Sequence, residues 1–419
     1  MAADPKAILW HNKALQQMAE TSFDPSALRH QLEQWGMFQV VEFPSGLRPA
    51  ATVLSDDGES AYRFAWLRDN IHLAYADLVM GRTGAAVRVF EAWLDALQRH
   101  IAEFGVPTPG RPLPVKLDGV SGEAPAATWS HRQNDAVGLF VWFAAQLMRN
   151  DMIQPTARLT DTITAIAHYL QAIGYASAAD SGHWEEELRL NASSIGCVVA
   201  GATAWRNAAL PRGTDLVFTD EFVTAGQRAL LNILPWETPG ADERPRRTDS
   251  ALLFLIYPLE VVDEKMAEAI LVDNATLHRQ IGIARYEGDS YWAPDYRTVV
   301  PKALRAVDYS ENIDARNKLA RPGQEAQWTL FDPVVSAAHG RLYQRTGSGQ
   351  HLQMQEKHLR RALAAITPKY AQHPGRLPEA YFLEDGHWVP NDHIPLRWAE
   401  SMLELALVEM EKSLASAGT

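Results

Sequence analysis

Two places in this 419-residue chain put glutamates in settings poorly suited to simple solvation. Glu379 follows a proline and precedes Ala380, Tyr381 and Phe382, while Glu185 and Glu186 directly follow His183 and Trp184. Neighbouring carboxylates resist ionising together, which raises the pKa of one of them. A carboxyl that holds its proton near neutrality, working with a second that stays ionised, is acid–base equipment for cleaving a glycosidic bond. Local sequence alone explains the run 185–187 equally well as a solvated acidic stretch at the positive end of a helix.

Two further clusters have types suited to holding a polyhydroxyl ligand. Tyr62, Trp66, Arg68 and Asp69 fall within eight residues, and Trp129 precedes His131, Arg132, Asn134 and Asp135. An aromatic face covers the apolar side of a sugar ring, and charged groups bond strongly to its hydroxyls. Helix capping would by itself account for Asp69 or Asn70, and for Asn134 or Asp135. Trp129, on a polar loop, is harder to place in a core. Metal-ligand spacing, a glycine-rich phosphate loop and a Gly-x-Ser-x-Gly elbow are all missing, and no cofactor is expected.

The elements that must position these clusters are helical. Asp24-Pro25, then Leu28, Leu32 and Trp35, then Gly36, spell an N-cap, a first-turn proline, an apolar face and a terminating glycine. Val89, Trp93, Leu97 and Ile101 recur at helical spacing. Helices are expected over 70–81, 83–104, 134–150, 155–173, 191–208, 219–234, 247–257, 263–281, 327–346, 349–366 and 393–413. Residues 38–43 and 51–55, parted by Pro44-Ser45-Gly46, suggest one small β-hairpin near the N-terminus. Long loops at 105–133, 174–190, 282–326 and 367–392 are of a length usually kept for function. The pattern predicts an all-α protein in which helices pair around a barrel and long loops gather at one rim. No low-complexity linker interrupts residues 1–419, so a single domain is expected.

Composition narrows the partners. With 47% apolar residues the chain can bury a large core, and its net charge of −12 disfavours nucleic acid and anionic membrane surfaces. No apolar window reaches the length of a bilayer span. The N-terminus lacks the basic start and apolar core of a secretory signal, so a cytoplasmic protein is expected. Cys197, the only cysteine, rules out an internal disulfide and falls in an apolar helical run, where a buried thiol is expected.

Taken together, the clusters resemble glycoside hydrolase family 15, the glucoamylase family, from about Tyr62 to the end of the chain. The resemblance implies an (α/α)6 barrel. It makes Tyr62, Trp66, Arg68, Asp69, Trp129, Trp184 and Trp398 substrate-binding residues, with Tyr62 near the reacting carbon and Arg68–Asp69 on the outer hydroxyls. Trp184-Glu185-Glu186 is similar to the family's Trp-Glu-Glu, implying that Glu185 is the general acid and Glu186 a substrate ligand. Gly282-Ile-Ala-Arg285-Tyr286-Glu-Gly-Asp289 nominates Arg285 as a sugar contact, and Glu379 corresponds to the general base. The activity so implied is inverting, exo-acting release of β-D-glucose from an α-glucoside.

A second resemblance runs through Trp66-Leu-Arg-Asp-Asn70, Leu190-Asn-Ala-Ser-Ser-Ile-Gly196, Gly288-Asp-Ser-Tyr-Trp292 and Leu377-Pro-Glu-Ala-Tyr381. These are similar to the barrel of phosphorylase kinase α/β subunits, which is regulatory. The doubled glutamate after Trp184 favours an enzyme over that sugar-binding alternative. Departures from the family pattern are Ala380 beside the base, Gly288 in place of an acid, and an insertion from Ala293 to Gln327. The insertion reads either as a lid or as an interface through which copies of the chain associate. With no starch-binding domain in the sequence, the expected substrate is a short soluble saccharide, its linkage open between maltose-like, isomaltose-like and trehalose bonds.

Overall fold

The computed structural model describes residues 8–417 except 22, 52–63, 126–130, 210–212, 214–216, 241–244, 306–308 and 310–312. In chain order the first helices are α1 (Lys13–Thr21), α2 (Pro25–Gln34), α3 (Leu67–Val79), α4 (Thr83–Phe104), α5 (Asn134–Arg149), α6 (Ala157–Ala172) and α7 (Ala192–Ala209). Then come α8 (Asp220–Ile233), α9 (Glu264–Asn274), α10 (Tyr296–Val299), α11 (Ile313–Asn317), α12 (Phe331–Thr346), α13 (Gly349–Ala364) and α14 (Arg397–Ala417). The strands are β1 (Phe64–Trp66), β2 (Lys116–Asp118), β3 (Gln327–Trp328), β4 (Ala380–Glu384) and β5 (His387–Pro390).

A helix buried on all sides has no face to offer water and must lie inside a ring of others. α3, α5, α7, α12 and α14 are of this kind, and so is a 3₁₀ segment, Ser250–Leu255. These six pack in sequence around a closed ring, with α14 returning to α3. The amphipathic helices α2, α4, α6, α8, α9 and α13 alternate with them along the chain and cover the outside. The result is the expected (α/α)6 barrel. In α4 the residues Val89, Trp93 and Leu97 form the buried stripe, and Phe90 stacks on Phe140 of α5 with centroids 5.1 Å apart. Truncating such a buried ring to alanine costs about 3–5 kcal/mol.

Two glycines set the closest helix approach. A Cβ on Gly138 of α5 would lie 2.5 Å from the backbone of Cys197 in α7, and one on Gly201 would lie 2.4 Å from the Gly138 carbonyl. Cys197 is fully buried there, as expected of a packing thiol.

Several local expectations are corrected. The hairpin over 38–43 and 51–55 does not form among the described residues. Phe38 takes φ 63°, Ala51 makes a single bridge to Leu396, and 52–55 lie outside the described part. Three of the described strands, β2, β4 and β5, arise instead inside the presumed long loops, while β1 precedes α3 and β3 takes the start of an expected helix. β1 pairs with β2, and β3–β4–β5 form an antiparallel sheet in which Trp328 lies opposite Ala380. The helix expected over 247–257 is the 3₁₀ turn, capped by Asp249 and stopped short of Pro258. The one expected over 263–281 ends at Asn274, and that expected from 327 begins at Phe331 because 327–328 pair as strand. Among the described residues no helix is long and apolar enough to cross a membrane.

Candidate active site

The inner helices α3, α5, α7, α12 and α14 begin at one rim, where unpaired N–H groups carry partial positive charge and favour carboxylates. Asp69 sits in the first turn of α3 and Asp135 in the first turn of α5. Neither caps its helix: the N-cap positions are Trp66 and Gln133, without side-chain capping bonds. The side chains are turned to other work. Arg68 donates to Asp135 at 2.6 Å, to Gln133 at 3.1 Å and to Glu185 at 3.1 Å, so the Trp66–Asp69 and Arg132–Asp135 clusters meet at Glu185.

One cavity at this rim is lined by Trp66, Arg68, Asp69, Trp184, Glu185, Arg285, Glu379 and Trp398. Glu185 precedes α7 and Glu379 precedes β4, beside the start of α14. These are the third and sixth inner helices, so the two glutamates approach the cavity from across the ring. Tyr62 and Trp129 lie outside the described residues.

The two glutamates are held differently. Glu185 adopts φ 58°, the left-handed region that favours glycine, and keeps its side chain 18% exposed. Glu379 is anchored through Oε2, which accepts from Asn391 Nδ2 at 2.7 Å and from the Tyr291 hydroxyl at 3.3 Å. His393 Nδ1 lies 2.7 Å from the same oxygen. Asp69 lies near both acids. Burial pushes its carboxyl up to about 7, with Arg68 opposing and the charges of Glu185 and Glu379 adding to the rise.

This shift carries a sign that can be checked. A carboxyl raised in the folded state stabilises the fold below its unfolded pKa and loses that contribution as pH rises through the folded value. Asp69→Asn removes the titration. Relative to wild type, the variant should therefore gain stability between pH 5 and pH 7, by about 2 kcal/mol at 1.4 kcal/mol per fully titrating unit, the slope halving as pH reaches about 7. Urea unfolding at the two pH values measures it, and an unchanged difference between the proteins would contradict the assignment.

Glu186 lines a neighbouring polar cavity rather than the one that Glu185 and Glu379 share. Its Oε1 accepts from Arg285 Nη2 at 3.0 Å, from the Tyr286 hydroxyl at 2.9 Å and from Arg316 Nη2. Its Oε2 accepts from Tyr286 at 2.8 Å and Arg246 at 3.4 Å. Burial opposes ionisation here, but Arg285, Arg316 and Arg246 outweigh it and hold the carboxyl at about 2. With its oxygens so occupied, Glu186 positions the arginines. Arg285 itself does reach the cavity. Asp289 grips it at 2.6 and 2.7 Å, and it faces the rings of Trp184, Tyr291 and Trp328 at 5.0–5.2 Å.

The aromatic wall is braced from behind. Trp184 donates its indole N–H to Asp249 at 2.9 Å, and Trp398 stacks on His72 and Phe254. His183, beneath Trp184, stacks on Phe254 with an interplanar angle of 2°, and burial lowers its pKa to about 4. It stays neutral near pH 7.

Tyr291, Tyr309, Arg316 and Trp328 also line the cavity and were not singled out in the sequence; nor were Asn391 and His393. A signal existed for Tyr291, inside the Gly288–Trp292 motif. Asn391 was hidden in the expected loop 367–392 and His393 at the expected start of the last helix.

The family model "Glycosyl hydrolases family 15" matches residues 37–215. No curated protein sequence matches the chain. Among solved structures, a glycosidase variant in complex with glucose is similar at TM-score 0.63 and 18% identity, over 91% of this chain and 95% of that one. Glucoamylase from Saccharomycopsis fibuligera gives TM-score 0.64 at 14% identity, over 98% and 99%. A bacterial glucoamylase complexed with acarbose gives 0.57 at 18%, over 88% of this chain but 53% of its own. The chain therefore has the glucoamylase barrel fold over nearly its whole length and resembles glycosyl hydrolases of family 15 in sequence over residues 37–215.

Proposed function

We propose that this protein is an inverting, exo-acting α-glucoside hydrolase that releases β-D-glucose from the non-reducing end of a short soluble saccharide. The observation that carries the reading is the presence of Glu185 and Glu379 on one aromatic-walled cavity, approached from across the ring. Glu185 protonates the departing glycosidic oxygen. Glu379, with Oε2 tied down by Asn391 and Tyr291, takes a proton from a water through Oε1, and that water attacks the opposite face of the sugar. Arg68, Asp69 and Arg285 bond to sugar hydroxyls, while Trp66, Trp184 and Trp398 cover the ring faces. Proteins of similar fold solved with glucose and with acarbose support a saccharide as the ligand class.

The test is incubation with maltose, isomaltose, trehalose and kojibiose, following released glucose by NMR. The β anomer should appear first from at least one of them. Initial α-glucose would refute inversion, and sugar binding without any release would favour the regulatory alternative.

A further inference from the structure

Glu379 is placed by its backbone before its side chain comes into play. Residues 377–380, where β4 begins, run alongside residues 391–396, which join β5 to α14. Leu396 donates its N–H to the Leu377 carbonyl at 2.9 Å, Glu379 to the His393 carbonyl at 2.8 Å, and Asn391 to the Ala380 carbonyl at 2.9 Å. This register sets positions 379 and 393 opposite each other, and both residues are buried, at 6% and 5% exposure. A buried carboxylate is tolerated when hydrogen bonds replace the water it has lost.

The donors gather on Oε2. Asn391 Nδ2 and His393 Nδ1 each lie 2.7 Å from it, and the Tyr291 hydroxyl lies 3.3 Å away. The orientation of Asn391 is fixed independently. Its Oδ1 accepts from the N–H groups of Ala380 at 3.4 Å and His393 at 3.3 Å, so its amide nitrogen faces the glutamate. The tautomer of His393 follows in the same way. A carboxylate oxygen only accepts, so a ring nitrogen at that distance carries a proton. Asp392, next in the chain, is committed elsewhere, to Arg297 at 2.7 Å and Arg305 at 2.9 Å. Trp292 meets the His393 ring edge to face, with centroids 5.6 Å apart, and braces it.

We infer that His393 is a positioning residue for the base: its Nδ1–H holds Glu379 Oε2 so that Oε1 is the oxygen turned to the attacking water. The inference rests on the hydrolase reading above and assigns His393 to one half of that reaction. A carboxylate with two short donors on one oxygen cannot rotate about its last bond without straining both. With Asn391 alone it could pivot about the remaining contact. A mis-aimed base costs turnover rather than binding, because the direction of Oε1 matters only as the proton of the water is transferred.

The experiment measures kcat and KM for wild type, His393→Leu and His393→Asn, on the preferred disaccharide and on α-D-glucosyl fluoride. The fluoride leaves without a proton and so isolates the half of the reaction that the base performs. Leucine and asparagine have nearly the same shape, but only asparagine can place an N–H donor where Nδ1 lies. His393→Leu should lower kcat by about 10–10²-fold on both substrates, with KM within about two-fold of wild type. His393→Asn should recover kcat to within about five-fold of wild type. Melting temperature verifies folding, and if His393→Leu does not fold, His393→Phe, a ring without a donor, is judged by the same criteria. A folded donor-less variant with wild-type kcat, an asparagine variant as impaired as the leucine one, or a loss carried by KM overturns the inference alone. So does a loss confined to the disaccharide, which would put His393 on the acid's half of the reaction. A wild type that releases glucose from none of the disaccharides nor from the fluoride overturns the hydrolase reading as well.

Discussion

Glu185→Gln should lower kcat on the best natural disaccharide by about 10²–10⁴-fold, the usual contribution of a positioned acid or base. The amide keeps the shape and still accepts from Arg68, so the fold should survive. Glu379→Gln should fall by a similar factor, because an amide cannot take the proton of the attacking water. The two losses separate on α-D-glucosyl fluoride, whose leaving group needs no proton. Glu185→Gln should recover much of its rate on the fluoride, whereas Glu379→Gln should not. Near-normal turnover by either variant on the disaccharide would remove that residue from the chemistry.

The second large effect is expected at Glu186, and it is one of stability. Its carboxylate is enclosed by Arg285, Arg316 and Arg246. Removing one partner of a buried ion pair leaves uncompensated charge and costs about 3–5 kcal/mol. Glu186→Gln should show a loss of that order in urea unfolding at pH 7, together with a raised KM as Arg285 loses its grip. A carboxyl depressed in the folded state stabilises the fold above its unfolded pKa and loses that contribution as pH falls towards the folded value. Wild type should accordingly lose stability from about pH 4.5 down to pH 2, in a window where Glu186→Gln changes less. A variant as stable as wild type would show that the arginines are balanced by Asp289 and Asp249 without it.

Much of the barrel was visible in the sequence because long amphipathic helices repeat their pattern several times. The stripe Val89–Trp93–Leu97 and the Asp24-Pro25 start are examples, the latter confirmed by Asp24 accepting from Ser26 and Ala27 N–H groups. The strands were missed because two to five residues are too few to show alternation. One clue was present: Asp385-Gly386, both at positive φ, joins β4 to β5 as a two-residue hairpin turn. At the site, Arg68, Asp69, Trp184, Glu185, Arg285, Glu379 and Trp398 could be named from local motifs. Tyr309, Asn391 and His393 could not, since their roles come from chain segments brought together only by the fold. The separate placement of Glu186 was not legible either. Adjacent glutamates look alike in a sequence, but the left-handed turn at Glu185 sends them to different surroundings.

That turn makes position 185 informative in related barrels. A non-glycine residue held in the left-handed region carries backbone strain, on the order of 1–3 kcal/mol at functional sites. Glycine would relieve it without disturbing the arginine cluster around Glu186. Selection for folding alone would thus favour glycine or asparagine here, and on the hydrolase reading proposed above it is turnover that retains the acid. A barrel of this type that has given up catalysis for sugar sensing should be recognisable by that one exchange, while its arginine cluster and helical ring persist unchanged.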